Sequence, residues 1–379
     1  MKSALAELAG LVWRRSTPAK PYPMGLHMGS DRLHLVQMQS TLSGPPAIRA
    51  AASVEYEWPL EETLAERRKL KSLLARAFAL QPFSGRRVVA CMPKDQVKIL
   101  LLGYTVAEGQ SESEAIVREL RERTKGSDED MVVDYMRLRS ADARGQQRDA
   151  IVAMAGRDEV THYLEALDDA GVEVEALDIG PSALTRVAAW IAPQGVEHPP
   201  NLLLVNCGAA SSYLTVVWGR RLMLDRSIDF AEKRLLDRLH AALDMPQELA
   251  RQLLAHHGFS ASQHSAESRD IASTLKEVLR SEFAALTEEV NKTLVYTASK
   301  TRGRTVDKIY LVGAMAHYPG IRELLEELLV IPVELLDPFS IFPHELRSDA
   351  LAALLPHSAA AVATGLALRN VKEAWPTST

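Results

Sequence analysis

The residues best suited to chemistry lie in one short run, Cys207-Gly208-Ala209-Ala210-Ser211-Ser212, set between two apolar segments. Small residues let the backbone turn tightly and leave successive N–H groups free to meet an anion, so the run is a candidate phosphate cradle. Leu202 to Val205 before it is apolar at every position, the pattern of a strand buried on both faces. After it, Val216-Val217, Trp218-Gly219-Arg220-Arg221 and Leu222 to Leu224 read as strand, tight turn and strand. Taken alone, such a turn serves structure more often than binding.

The plan recurs. About 180 residues upstream, Gly25 to Met38 puts Gly29-Ser30 at a turn, flanked by Met24, Leu26 and Met28 and by Leu33, Leu35, Val36 and Met38. Duplication at that distance indicates two related domains, not a short-period repeat. A third glycine turn, within Ile309 to Ala316, joins a buried strand to a helix starting near Pro319-Gly320, with Ile321, Leu324, Leu325 and Leu328 on one side. The candidate ligand contacts of the three turns are Gly29, Ser30, Gly208, Ala209, Ser211, Gly313 and Ala314.

The elements that hold these turns follow from periodicity and breakers. A hairpin runs to about Tyr56, then one amphipathic helix carries Leu64, Leu70, Leu73, Leu74 and Phe78, and a strand Arg87 to Met92 ends at Pro93. Next come strand Val97 to Tyr104, helix Ser113 to Arg123, strands Met131 to Arg139 and Asp149 to Ala155, and helix Glu159 to Asp169, which Gly171 stops. This module, from about Gln96 to Gly171, holds little acid or base chemistry but two open-edged strands, which suit a partner peptide unless its own helices cover them. Strand Val172 to Leu177 leads to Asp178 and a helix opened by Pro181. Beyond the second turn, Leu235 to Phe259 is helical, and a long helix over Ile271 to Lys300 keeps Leu275, Leu279, Leu286 and Val290 on its apolar side.

With 379 residues, 47% hydrophobic and 25% charged, the chain can bury a sizeable core in two or more domains. A net charge of -5 gives no electrostatic case for nucleic acid. Cys91 and Cys207 lie in or beside apolar strands, where packing is the expected role. No apolar run is long enough to cross a bilayer. Lys2 to Arg15 reads as a short helical leader, either docking or frayed, and Glu7 breaks any signal-peptide pattern. His256-His257 point about a hundred degrees apart on a helix, and His264 adds no ligand spacing, so no metal site is expected there.

Beyond these local patterns, the chain from about Tyr22 to Arg369 resembles the actin-like ATPase superfamily, and within it the PilM branch of type IV pilus assembly proteins related to FtsA. Gly25 to His34 is similar to that family's first phosphate loop, and Asn206 to Tyr213 to its second. Leu311 to Phe339, LVGAMAHYPGIRELLEELLVIPVELLDPF, resembles its adenosine-side motif, and Ala363 to Arg369, ATGLALR, its closing helix. The resemblance implies an α/β, two-lobed actin-like (ribonuclease H-like) fold carrying a small inserted α+β subdomain. Its implied parts are a leader at 1–20, a first lobe at 21–95 and 172–195, the insert at 96–171 and a second lobe at 196–372 with a helical subdomain near 231–305.

The departures carry equal weight. In the family an acidic residue in each phosphate loop helps to place magnesium and the attacking water, and here His27 and Asn206 stand at those positions. Neutral imidazole and amide groups are poor ligands for a hard cation, so hydrolysis is expected to be crippled or absent. ATP or ADP would then be a structural ligand, with Mg2+ weakened. The glycine triplet is reduced to Gly313-Ala314-Met315, and Phe230-Ala231-Glu232 replaces a glycine pair. Lys233 and Glu282 are further nucleotide candidates. Asp178 is either a strand-end cap or a cleft acid.

The implied role is a cytoplasmic scaffold of a type IV pilus or related secretion platform. It would be held beside the inner membrane by the cytoplasmic tail of a PilN-like protein, which lies in a groove between the insert and the adjoining core. Self-association is a further implied partnership. The alternatives are a working FtsA-like or sugar-kinase-like ATPase with Asp178 as base, and the cytoplasmic part of a GspL-like secretion subunit. GspL-like chains continue into a membrane span and lack the insert.

Overall fold

Each duplicated turn is the corner of a meander. In a computed structural model describing residues 21–29, 31–41, 44–124, 130–138, 147–192, 196–260 and 266–371, β1 (Pro21–Met28), β2 (Arg32–Gln39) and β3 (Ala47–Glu55) pair antiparallel. Helices α1 (Leu60–Ala65) and α2 (Arg67–Leu80) then return the chain to β4 (Arg87–Cys91), parallel to β1. The insert follows, with β5 (Lys98–Thr105), α3 (Glu112–Thr124), β6 (Met131–Arg137), β7 (Gln147–Gly156) and α4 (Arg157–Asp169). The chain rejoins the first sheet as β8 (Glu173–Asp178), parallel to β4, and α5 (Gly180–Ala188).

The second half repeats the order: β9 (Leu202–Cys207), β10 (Ser212–Trp218) and β11 (Arg221–Ile228) form the meander. Helices α6 (Glu232–Leu243), α7 (Gln247–His256) and α8 (Ala266–Lys300) lead to β12 (Lys308–Gly313), parallel to β9. Then come α9 (Ile321–Leu329), β13 (Val333–Leu335), α10 (Pro338–Ile341), α11 (Ser348–Ala352) and α12 (Ala361–Ala367). The two five-stranded sheets run β3-β2-β1-β4-β8 and β11-β10-β9-β12-β13, the same third-second-first-fourth-fifth plan.

The burial pattern explains why these strands lack simple alternation, because helices cover both faces of both sheets. On one face of the first sheet, Met24, Leu26, Leu33 and Leu35 pack on Leu70, Leu73 and Leu74 of α2 and on Tyr163 and Leu167 of α4. On its other face, Val36, Met38 and Val89 meet α5 and α12, which also carry Leu202, Leu204 and Val312 of the second sheet. The outer face of the second sheet, with Leu203, Val205 and Leu311, packs on Leu235, Leu279 and Ile321 of the helical layer. A Cβ at Gly365 would sit 1.9 Å from the Ala183 carbonyl oxygen, and one at Gly25 would sit 1.8 Å from that of Ala363. The closing helix thus approaches both α5 and β1 at distances only glycine permits.

The structure departs from the sequence reading at several points. Helix α12, assigned to the second lobe, packs against β1, β2 and α5 of the first as well as beneath the second sheet. The helix expected through Leu64 to Phe78 is two helices, because Glu66 is extended (φ -113°, ψ 105°). The helix expected over 235–259 breaks at Asp244, which is left-handed, and at Pro246, which has no N–H and disfavours a helical residue before it. Leu329, not Leu328, completes the buried face of α9, since two steps of four from Ile321 reach it. The leader falls outside the described residues.

Candidate functional site

The second turn is the best-formed piece of the site. Register brings Gly313 at the end of β12 beside Cys207 at the end of β9, which joins the second and third turns. Gly313 has φ +91°, and a Cβ there would lie 2.5 Å from the Cys207 carbonyl oxygen and 2.8 Å from Asn206 Oδ1. No other residue type fits. At the first residues of α6, the N–H groups of Glu232 and Lys233 donate to the carbonyls of Gly208 and Ala209 at 3.0 and 2.9 Å, tying the turn to the helix. The amides of Ala209 and Ala210 at the tip have no hydrogen-bond partner among the described residues.

The first turn is held from below. Gly29 N–H donates to the Arg32 carbonyl at 2.8 Å, and the Tyr56 hydroxyl reaches the carbonyls of Gly29 and Arg32 at 2.9 and 3.0 Å. Ser30 lies outside the described residues. The His27 and His34 rings stack 5.9 Å apart. Burial, with a smaller push from the Lys94 charge, lowers His27 to about 4, and burial lowers His34 to about 3. Both rings are therefore neutral at pH 7. The Nδ1 atom of His27 is buried without a hydrogen-bond partner.

Lys94 links the two hairpins. It opens a single 3-10 turn just after Pro93 ends β4, and its ammonium lies over the Tyr213 ring at the start of β10. Its charge also acts on His27 and Cys91 of the first sheet and on Asp225 of β11. Burial pulls Lys94 down to about 7 and raises Asp225, whose Oδ1 accepts the Thr215 hydroxyl at 2.5 Å. Lys94 therefore lies between the first hairpin and the second, where the two lobes meet.

A separate groove lies beside the insert. Its three strands run β5-β7-β6, so β7 is central and the edges are β5 and β6. β5 leans on β11, with Leu101 packed into the second lobe, and Asp149 pairs with Lys300 at 3.5 Å. Among the described residues nothing extends the sheet at β6, where Val132 and Met136 are 38% and 39% exposed. They line a cavity of about 500 Å³ shared with Ile151, Leu177, Ile179 and Arg369. At its floor Asp178, with a side chain only 5% exposed, accepts from Arg186 and Arg369, each at 2.7 Å, and from the Ile179 N–H at 2.8 Å. Two guanidinium groups on one carboxylate leave a net positive charge there.

The sequence comparison bears on both places. The model of the type IV pilus assembly protein PilM family matches residues 25–371. The chain belongs to that family. Among solved structures, one titled as a PilM-PilN type IV pilus biogenesis complex matches with TM-score 0.71 and 24% identity, covering 93% of this chain and 99% of that one. The ethanolamine utilization protein EutJ from Carboxydothermus hydrogenoformans gives 0.48 and 15%, covering 96% of each chain. MreB 5 of Spiroplasma citri bound to AMPPNP gives 0.47 and 12%, covering 93% and 97%. The fold is actin-like.

No group of three or more His, Cys, Asp or Glu side chains among the described residues could hold a metal ion, and His256 and His257 merely meet edge to face. His264 lies outside the described residues. Both cysteines are buried, free thiols pushed up to about 12 by burial. Of the other nucleotide candidates, Lys233 pairs with Asp237 at 2.7 Å and Glu282 accepts from Arg234 at 3.0 Å. Glu232 is buried and accepts the Tyr318 hydroxyl, while Met315 is sealed in the core. Ala314 follows Gly313 in a 3-10 turn. Lys94 escaped the sequence reading, although a lysine directly after a strand-ending proline is where open α/β sheets place ligand contacts.

Proposed function

We propose that the chain is a cytoplasmic scaffold that docks the cytoplasmic tail of a PilN-like inner-membrane protein along the free edge of β6. The observation that carries this is the combination of a strand edge that nothing extends among the described residues, two exposed apolar side chains on it, and a cavity ending at the Asp178-Arg186-Arg369 cluster. An extended peptide gains main-chain hydrogen bonds at such an edge, apolar side chains enter the cavity, and the surplus guanidinium charge meets a carbonyl or carboxylate. No helix among the described residues is long and apolar enough to cross a membrane, so membrane attachment in this reading comes through the partner. The working division is a first lobe at 21–95 and 172–195, the insert at 96–171 and a second lobe at 196–372, with α12 bracing the first sheet.

Nucleotide in this reading is a conformational ligand between the lobes and not a fuel. His27 and Asn206 offer no fixed carboxylate, and Asp178 is spoken for by two arginines, which makes it a poor base. Titration calorimetry with a synthetic PilN-like tail tests the docking: micromolar binding that Val132→Asp abolishes supports it, and no binding at millimolar peptide overturns it. Measurable turnover of ATP with Mg2+ would overturn the non-catalytic part.

A further inference from the structure

We propose that Lys94 takes the place of the divalent metal, so that the crevice holds a phosphate group on the protein's own ammonium and the free amides of the second turn. The inference rests on the nucleotide part of the proposed function and names the cation that part leaves open. Among the described residues Lys94 makes no ion pair within 4 Å and no hydrogen bond, although Asp225 lies near enough to feel its charge. A desolvated ammonium with unmet donors favours an anion, which is the state in which buried charges are normally found.

Three further observations point the same way. The Ala209 and Ala210 amides at the tip of the second turn have no hydrogen-bond partner among the described residues. The Nδ1 atom of His27, across the crevice, is buried and without a partner. Ser212 at the exit of the turn is wholly buried beside the Cys207 thiol, and its hydroxyl makes no hydrogen bond of normal geometry. A neutral imidazole or hydroxyl donates to a phosphate oxygen but contributes no negative charge that would retain Mg2+. A divalent ion there would instead face the Lys94 ammonium and be repelled.

The ligand class is a polyphosphate anion. Its source is either a nucleotide or free pyrophosphate.

The test is calorimetry on the full chain with ADP, ATP and pyrophosphate, each in Mg2+ and in EDTA. Affinity within about threefold in the two media is expected, against the large loss on chelation of a metal-bridged site. Lys94→Met should weaken binding about tenfold to a hundredfold, and Lys94→Arg should largely keep it. If the nucleotides bind and pyrophosphate does not, the base side contributes; if pyrophosphate binds alone, the source is the free anion, and either result fits. Binding that disappears in EDTA, or a Lys94→Met protein that binds as wild type does, overturns the assignment of Lys94. Absence of binding by all three anions in both media overturns the nucleotide reading and this inference together. Binding of the PilN-like tail, measured on the same samples, reports that the variants are folded.

Discussion

The interlobe crevice and the β6 groove are built from opposite materials, though both adjoin the same sheet end. The crevice is lined by backbone corners, buried neutral histidines and one ammonium, with its carboxylate Asp225 tied to Thr215. The groove has a strand edge unpaired among the described residues, exposed Val132 and Met136, and a carboxylate held by two arginines. In the proposed reading the first arrangement holds an anion and the second a peptide.

The largest effect is expected where the groove meets the core. Asp178→Ala leaves Arg186 and Arg369 without their shared partner and should cost about 3 kcal/mol of stability, read by urea unfolding. A loss below about 1 kcal/mol would mean that the arginines are hydrated and the groove floor is soft. Next, Met136→Asp should weaken tail binding by about 2 kcal/mol, roughly thirtyfold, without lowering the melting temperature, because the side chain it replaces is already exposed. A fall in melting temperature equal to that of a core variant would place Met136 in packing instead.

Acid should separate the two regions. His27 and His34 have folded values below the usual 6.5, so the unfolded chain takes up protons first. Each ring's contribution is complete above about pH 6.5 and is lost at about 1.4 kcal/mol per pH unit as pH falls, toward about 4 for His27 and about 3 for His34. In the insert, Glu112 is held down to about 2, chiefly by the Tyr104 hydroxyl and then by Arg148 and Arg137. Its contribution persists to pH 4.5 and is lost only between there and about 2. Hydrogen exchange at pH 5 should therefore show β1 and β2 loosened while β5 to β7 keep their protection; the reverse order would break the comparison. The smallest effect is expected at Lys233→Ala, an exposed helical pair with Asp237, which should change stability by less than about 0.5 kcal/mol.

Much of this was legible in the chain itself. The two meanders, the Gly313 corner and the strand-helix-strand-strand-helix insert were marked by small-residue turns between apolar runs, and their strand bounds agree to within a few residues. Helix breaks at Glu66 and Asp244 were not, since the apolar period continues across them. Lys94 was missed for a related reason: a single charged residue in a loop carries no periodicity. Asp178 was visible as an isolated acid, but Arg369, which neutralises it, is 191 residues away in the chain.

Local chemistry therefore settled the elements and what the turns lack. Residue type limits backbone angles, turn tightness and metal preference wherever the residue finally sits, so the absence of carboxylates at positions 27 and 206 is a property of the string. Which groups face one another was decided only by folding. The pairing of Lys94 with Tyr213, the clamp on Asp178 and the return of α12 to the first sheet all join residues far apart in sequence. Contacts of that kind depend on how layers stack and on the close approaches that Gly25 and Gly365 allow.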